Sequence, residues 1–303
     1  EGHARWCTDA IERANGVRVV GWLPNDPELA MPERHLGLVP YTENRFDAAK
    51  AVRKLARSIS THVDLEGVVR IAESAKPITF KDVRQREKVP SKVRIGVAID
   101  EAFSFYYADA LELLSESGAE LVAFSPVHGP SLPEGINGLY LGGGFPEVFA
   151  DQLRSNASMR KSVRKFIEDG MPTFAECGGL MYLTKSIVDF SGRSSSMVGV
   201  LEADSVMTKS LTLSYTLANV VHDTILSKSG TSIKGHEFHY SNLESVSTDA
   251  RFAYKMKPGR GVAGHSDGWL VYKTLATYSH AHLCSDPRMA TNFVAACEKS
   301  KRQ

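Results

Sequence analysis

The sequence is poor in cysteine, has no long hydrophobic run and carries almost no net charge, and each of these features excludes a class of protein. Its four cysteines among 303 residues include no Cys-x-x-Cys pair, which argues against a disulfide framework and predicts a reducing compartment such as the cytoplasm. No apolar stretch reaches the roughly 18 residues of a membrane-spanning helix. The 36 Lys and Arg balance 35 Asp and Glu, which is untypical of nucleic-acid-binding proteins. The sequence thus predicts a cytoplasmic α/β protein with no membrane or nucleic-acid partner.

The amino-terminal part of the chain has a mostly helical pattern. Apolar residues recur at helical spacing, Asp64 is placed to cap a helix, and Asn15-Gly16 is placed to end one. We predict helices at 4–15, 47–62 and 64–75 and a strand at 17–23. A charged segment that ends at Pro90 is typical of a linker. The predicted parts are a first part at 1–76, a linker at 77–91 and a main domain at 92–303.

The main domain alternates short apolar runs with helical segments. Apolar runs typical of buried strands lie at 93–99, 121–125, 138–141 and 172–176, and helical segments lie at 105–117 and 156–169. Such alternation is typical of a parallel sheet with helices on both faces. Ligands bind beyond the carboxyl ends of these strands. Both the turn Gly142-Gly143-Gly144 and Cys177 follow such ends, which makes them the first candidates for a site.

Cys177 lies where a predicted strand turns into a predicted helix. The segment Ala175-Glu176-Cys177-Gly178-Gly179 is followed by an apolar helical run, which is the pattern of a nucleophile elbow. Glycines after the cysteine permit a tight turn and the approach of a substrate carbonyl. A helix that begins there is expected to lower the pKa of the thiol. The alternative is an inert buried cysteine before a turn.

A cysteine nucleophile needs a base, and histidine is the usual one. His280 and His282 end a late apolar strand, and His236 and His239 form a second pair. The strand-end pair is the better placed, although spacing alone does not decide. A lone pair of histidines is a weak zinc signal, so no metal site is predicted.

The turn Gly142-Gly143-Gly144 is the other candidate. It lacks the lysine and hydroxyl residue of a phosphate loop, and no such loop occurs in the sequence. Its backbone N–H groups suit an oxyanion, and a plain strand-to-helix turn is the alternative.

Three long motifs together resemble the cobyrinate a,c-diamide synthase family. They are LGGGFPE at 141–147, FAECGGLMYL at 174–183 and GHEFHYS at 235–241. Shorter stretches at 21–24, 32–40 and 102–107 are similar to the same family, so the resemblance runs through the chain in order.

The resemblance implies a fold, a reaction and roles for several residues. It implies a flavodoxin-like class I glutamine amidotransferase domain with a mostly parallel sheet, preceded by the end of a P-loop-type α/β ATPase domain. In the family's pattern Cys177 is the nucleophile and His280 its base. Independently of the family's pattern, the expected geometry lets the Gly178 N–H and one from the Gly142–Gly144 turn bind the oxyanion, so Gly143, Gly144 and Gly178 are the candidate residues. No metal takes part in the glutaminase step.

The implied function is a carbon–nitrogen ligase of cobalamin biosynthesis. Its full form uses ATP and Mg²⁺ to activate the a and c carboxylates of cobyrinate or hydrogenobyrinate, and glutamine supplies the ammonia. This chain is expected to supply the glutaminase half, because the phosphate loop and acidic magnesium ligands are missing. It is expected to be a fragment or to be completed by another polypeptide. A homodimer is compatible with the sequence.

Two alternatives remain at this point. One is the related amidation of nickel sirohydrochlorin in coenzyme F430 biosynthesis. The other is a glutaminase-like domain without synthetase activity, which the presence of both Cys177 and His280 disfavours.

Several residues depart from the wider class or stay open. Most class I amidotransferases have a His-x-Glu sequence whose glutamate orients the base, whereas the third position here is His282. What orients His280 is therefore open, and His282 is either a site residue or structural. Glu237 and His239 are expected either to line the glutamine pocket or domain interface or to form a structural hydrogen-bond cluster.

Overall fold

The computed structural model describes residues 2–30, 33–34, 37–38, 48–79 and 90–301. The chain divides into two compact units, 1–85 and 86–303, which are described separately. Residues 80–89 of the predicted linker lie outside the described residues, and the predicted domain boundaries stay predictions. None of the described helices is long and apolar enough to cross a membrane.

The first unit is mainly helical. Its described elements are helices α1 (Gly2–Asn15), α2 (Ala48–His62) and α3 (Leu65–Glu73) and the short antiparallel pair β1 (Glu33–Arg34) and β2 (Gly37–Leu38). Gly16 adopts a φ of 62° and donates its N–H to Glu12 O at 2.9 Å, which ends α1. The Asp64 carboxylate accepts the Gly67 N–H at 2.8 Å and caps α3. The three predicted helices and both predicted caps are confirmed.

The strand predicted at 17–23 is wrong. In this segment only Gly21 forms a β-bridge, with Val63. The backbone of Val20 and Trp22 bonds instead to Asp64 and His62, at the end of α2. A β-branched run becomes a strand only beside a strand that completes its ladder, and the described residues place a helix end there.

The second unit is built on a single large sheet. Its described strands are β3 (Val93–Ala98), β4 (Ala119–Phe124), β5 (Gly138–Leu141), β6 (Thr173–Glu176), β7 (Thr184–Val188), β8 (Ser194–Ser196), β9 (Leu201–Val220), β10 (Ser232–Glu244), β11 (Arg251–Met256), β12 (Ser266–Val271), β13 (Thr274–Thr277) and β14 (His280–Ala281). The main order is β14-β10-β9-β11-β12-β13-β6-β5-β3-β4. The block β4-β3-β5-β6-β13 is parallel throughout. The four strands predicted for the parallel core are confirmed as β3, β4, β5 and β6, and β13 adds a fifth.

Helices cover both faces of this sheet. The described helices of the unit are α4 (Ala108–Glu116), α5 (Ala150–Ser155), α6 (Ala157–Glu168), α7 (Gly178–Leu183) and α8 (Arg288–Lys301). Successive residues of β5 pack into different apolar clusters, Leu139 and Leu141 into one and Tyr140 into the other. Because strand side chains alternate between faces, each face has its own core. The predicted α/β fold is confirmed.

An antiparallel extension continues the sheet beyond β13. The long strands β9 and β10 pair over most of their length, and β14 pairs with β10 through His236–His280 and Gly235–Ala281. Neither long strand is predicted from the sequence. The pairing of β10 with β14 places His236 opposite His280.

Candidate functional site

Cys177 occupies a strained turn between β6 and α7. Its φ of 47° and ψ of −99° lie in a region that residues with a side chain rarely adopt. Such strain persists only where the surroundings enforce it, and it is concentrated at functional sites. Here the Cys177 N–H donates to Thr277 O on β13 at 2.7 Å, and the Met181 N–H bonds back to Cys177 O. The predicted strand–turn–helix geometry is present.

The Cys177 thiol is buried, and its pKa moves in the opposite direction to the one expected. The residue is 6% exposed, with Sγ 3.9 Å from Phe238 O. The pKa of Cys177 is raised to about 12, mainly by burial and in part by the charge of Glu147, while the bond from the Gly178 N–H acts to lower it. The expected net lowering is wrong because α7 has only six residues and desolvation of a thiolate outweighs its N-terminal effect. The resting side chain is a thiol.

His280 lies on β14 in a stack of aromatic rings. Its imidazole stacks on His236 with ring centroids 4.8 Å apart and an interplanar angle of 12°. On another side the Phe105 ring meets it edge to face at 5.0 Å. The pKa of His280 is lowered to about 3, mainly by burial and in part by electrostatic repulsion from His236 and His239. The resting imidazole is therefore neutral and able to accept a proton.

The glycine turn after β5 lies against the His280 imidazole and against the first residue of the helix that follows Cys177. A Cβ at Gly143 would lie 2.6 Å from His280 Cε1, so the turn backbone runs against the imidazole. A Cβ at Gly178 would lie 3.0 Å from Gly144 N, so the turn also runs against the start of α7. The Gly142 N–H is taken up by the Tyr106 hydroxyl at 2.9 Å. The turn therefore faces the imidazole on one side and the elbow on the other.

His239 and Glu237 lie in buried hydrogen-bonded clusters. His239 Nδ1 is 2.8 Å from Ser241 O, and its ring stacks on Tyr278 with centroids 4.0 Å apart. The fully buried Glu237 carboxylate accepts the backbone N–H groups of Arg260 at 2.9 Å and Gly261 at 2.6 Å. These contacts fit the structural alternative for both residues, while His239 Nε2 is buried without a partner among the described residues. A role in the glutamine pocket stays a prediction for both.

His282 does not contact His280 as an orienting residue would. Its Nε2 is 3.4 Å from the Asp109 carboxylate, and its side chain is 37% exposed. Its ring meets Tyr107 edge to face at 4.7 Å. These contacts draw the side chain to the amino-terminal end of α4, in line with the structural alternative.

The sequence comparison now bears on this geometry. Residues 94–288 match the model of the CobB/CobQ-like glutamine amidotransferase domain. The chain belongs to that family. The amidotransferase domain thus covers the parallel block, the elbow at Cys177 and the strand that carries His280.

Curated relatives extend the likeness beyond the amidotransferase domain. The cobyrinate a,c-diamide synthase of Dehalococcoides mccartyi is 43% identical over 299 residues, covering 96% of this chain and 64% of that protein. That of Caldanaerobacter subterraneus is 42% identical over 304 residues, covering 100% and 66%. That of Methanosarcina acetivorans is 39% identical, covering 98% and 64%. The chain therefore spans about two thirds of the length of these curated relatives.

Gly143 offers a direct test of the packing around His280 in the amidotransferase domain. In Gly143→Ala the new Cβ would also lie 3.3 Å from Phe105 Cβ, so the imidazole must shift. We expect glutamine hydrolysis to fall about tenfold to a hundredfold, since displacements near 1 Å have such effects. Ammonia release measures this, and thermal unfolding shows that the variant is folded. Unchanged activity in a folded Gly143→Ala variant would argue against the imidazole being in use.

Replacing His282 is expected to have little effect on glutamine hydrolysis. We expect His282→Gln to change glutamine hydrolysis by no more than about fivefold, because the side chain is partly exposed and contacts Asp109 and Tyr107 rather than His280, and exposed polar contacts contribute about 1 kcal/mol or less. The assay is again ammonia release. A loss as large as that of a catalytic residue would place His282 in the site after all.

Among the described residues no group of three His, Cys, Asp or Glu side chains comes together where it could hold a metal ion.

One cavity of the second unit lies away from Cys177 and His280. Its volume is about 470 Å³, and its lining contains neither candidate residue. It is lined in part by the cations Lys228, Arg251, Lys273 and Lys299. The site is assigned from the strained turn and its neighbours rather than from cavity size.

Several residues of the site have no distinctive sequence signal of their own. His236 and Phe105 pack on the imidazole, and Glu176 and Asp267 accept main-chain N–H groups from the residues on either side of His280. The available signal is an acidic residue at the end of a short, mostly apolar run, as Glu176 is at the end of β6. Burial of such a residue indicates a hydrogen-bonding task.

Proposed function

We propose that this amidotransferase domain releases ammonia from glutamine, with Cys177 as the nucleophile and His280 as the general base. The observation that carries the proposal is the strained, buried Cys177 at the head of α7 beside a turn that packs on the His280 imidazole. Strand-to-helix turns of this kind present a nucleophile where a substrate carbonyl can reach it.

The proposed reaction has two halves. Cys177 Sγ attacks the carboxamide carbon of glutamine while His280 accepts the thiol proton. Collapse of the tetrahedral intermediate breaks the carbon–nitrogen bond, and His280 returns the proton to the leaving nitrogen as ammonia departs. Water then attacks the glutamyl thioester, again with His280 as base, to give glutamate and the free thiol.

The protonation states support this order of events. The Cys177 thiol, whose pKa is raised, and the His280 imidazole, whose pKa is lowered, are both neutral at rest. Separating charge in an empty, buried site is costly, so proton transfer is expected to accompany the attack on bound glutamine. The developing oxyanion would be bound by the Gly178 N–H and by that of Gly143 or Gly144. The Gly142 N–H does not face the oxyanion in this scheme, because it donates to the Tyr106 hydroxyl.

For the natural full-length protein we propose glutamine-dependent amidation of the a and c carboxylates of cobyrinate. The support is the name shared by relatives that are about 40% identical over nearly the whole chain. ATP would activate each carboxylate, and ammonia from the domain would displace phosphate to form the amide. The ATP step belongs to residues outside the amidotransferase domain.

A substrate assay tests this assignment. The natural full-length protein, supplied with ATP, Mg²⁺ and glutamine, should convert cobyrinate to its mono- and diamide, as followed by mass spectrometry. Hydrogenobyrinate and nickel sirohydrochlorin are tested as alternative substrates in separate, parallel reactions. Efficient amidation of nickel sirohydrochlorin alone would contradict the proposal.

A further inference from the structure

The main chain before His280 is held by a fully buried carboxylate. Asp267, on β12, accepts the backbone N–H of Tyr278 at 3.0 Å and that of Ser279 at 2.9 Å, one on each oxygen. It also accepts the N–H of Gly268 at 2.8 Å. Three such bonds offset the cost of burying an acidic group, and they fix the approach of the chain to His280.

The main chain after His280 is held by a second buried carboxylate. Glu176, which is 3% exposed, accepts the Ala281 N–H on Oε1 at 2.7 Å. Its Oε2 accepts the Tyr140 hydroxyl at 2.5 Å. The acceptor is adjacent in sequence to Cys177, and the donor is adjacent to His280. A single side chain thus connects the elbow to the strand of the proposed base.

No described carboxylate bonds to the imidazole of His280 itself. The ring is held by His236 and Phe105, and the residue two positions on, His282, contacts Asp109 instead. The orientation of the imidazole therefore depends on rings that pack on it and on the position of its backbone. The backbone of His280 is held by two acidic side chains, by Asp267 on the amino-terminal side and by Glu176 on the carboxy-terminal side.

We propose that Glu176 is a positioning residue that sets the place of His280 relative to Cys177 through the Ala281 N–H. The inference rests on the proposed glutaminase function of these two residues. Oε1 needs only to accept a hydrogen bond, so the reach of the side chain matters and its charge does not. Tyr140 stiffens the side chain by holding the other oxygen.

The pKa of Glu176 supports a role that depends on the length of the side chain rather than on its charge. Burial raises the pKa of Glu176 to about 7, although the bonds from Tyr140 and Ala281 act to lower it. Near neutral pH the group is therefore a mixture of acid and carboxylate, and an unprotonated oxygen remains for the Ala281 N–H in either form.

Two conservative substitutions separate reach from charge. Glu176→Gln keeps the chain length and an acceptor oxygen, and its amide can donate to the Tyr140 oxygen. Glu176→Asp keeps the charge but withdraws the acceptor by one methylene group. In the natural full-length protein, the rate of Cys177 alkylation by a diazoketone analogue of glutamine is measured against analogue concentration. Thermal unfolding is recorded for each variant.

We expect Glu176→Asp to lower the maximal alkylation rate about tenfold to a hundredfold, since small displacements of a catalytic group have such effects. The concentration for half-maximal rate should change little, and Glu176→Gln should stay close to the parent in both quantities. The matched control is Asp189→Asn, because Asp189 also accepts main-chain N–H groups, from Ser191 at 2.8 Å and Arg193 at 3.0 Å, at a turn outside the site. It should leave the rate unchanged.

Three results would overturn the inference. They are parent-like rates in folded Glu176→Asp, equal impairment of both variants, and impairment of Glu176→Gln alone, which would assign the role to charge. Failure of the proposed function itself looks different, because the parent protein would then show no alkylation of Cys177 at all.

Discussion

Replacing Cys177 with serine is expected to lower glutamine hydrolysis by at least about a thousandfold, because covalent catalysis depends on this nucleophile and serine is far less reactive in the same place. The fold should survive, since a hydroxyl replaces a thiol of similar size, and the bonds from Cys177 N–H to Thr277 O and from Met181 N–H to Cys177 O join main-chain atoms only. Ammonia release from glutamine measures the effect. Thermal unfolding of the same sample shows whether the strained turn is intact.

Cys284→Ser is the matched control for this experiment. Cys284 lies in the same unit and is partly buried, but it follows His282 in a short turn outside the elbow. Its replacement should leave hydrolysis close to that of the parent. Equal losses in the two variants would mean that the effect of Cys177→Ser reflects folding, and full activity in Cys177→Ser would contradict the nucleophile assignment.

Replacing His280 with glutamine is expected to lower hydrolysis about a hundredfold to ten-thousandfold, the range associated with a positioned general base. Glutamine fills a similar volume between His236 and Phe105 but cannot accept the thiol proton. The Michaelis constant for glutamine should change much less than kcat, because the imidazole acts on the thiol and not on the ground-state substrate. Steady-state kinetics separate the two.

His128→Gln controls for the loss of an imidazole as such. The His128 side chain is 67% exposed and lies 2.7 Å from the Glu101 carboxylate. The change should leave kcat unaltered. If His280→Gln kept the parent kcat, another residue would have to serve as the base.

The parallel core was accessible to prediction, whereas the antiparallel extension was not. Three strands of the core, Val93–Ala98, Gly138–Leu141 and Thr173–Glu176, are short, mostly apolar runs that are each followed by a helix. This alternation can be read from neighbouring residues alone. In β9 buried and exposed residues alternate over a long stretch, and its partner β10 follows only after a connecting segment. The misassigned strand at 17–23 fails for a related reason, since a strand exists only through the strand beside it.

At the site, too, features with a local sequence signal could be predicted and long-range contacts could not. Cys177 carries a local signal, a cysteine between a strand and a glycine pair, and the resemblance to a known family selects His280. By contrast, the bond from Ala281 to Glu176 joins residues 105 positions apart, and the stacking of His236 on His280 depends on the pairing of β10 with β14. The pKa of Cys177 was expected in the wrong direction because burial, which governs it, is a property of the folded chain.

The most direct test of the account is to label the natural full-length protein with a diazoketone analogue of glutamine and to locate the adduct. Intact mass gives its stoichiometry, and peptide mapping gives its position. The account predicts one adduct, on Cys177, which excess glutamine prevents and Cys177→Ser abolishes. An adduct on another residue, or none on a folded protein, would contradict the central claim that Cys177 attacks glutamine.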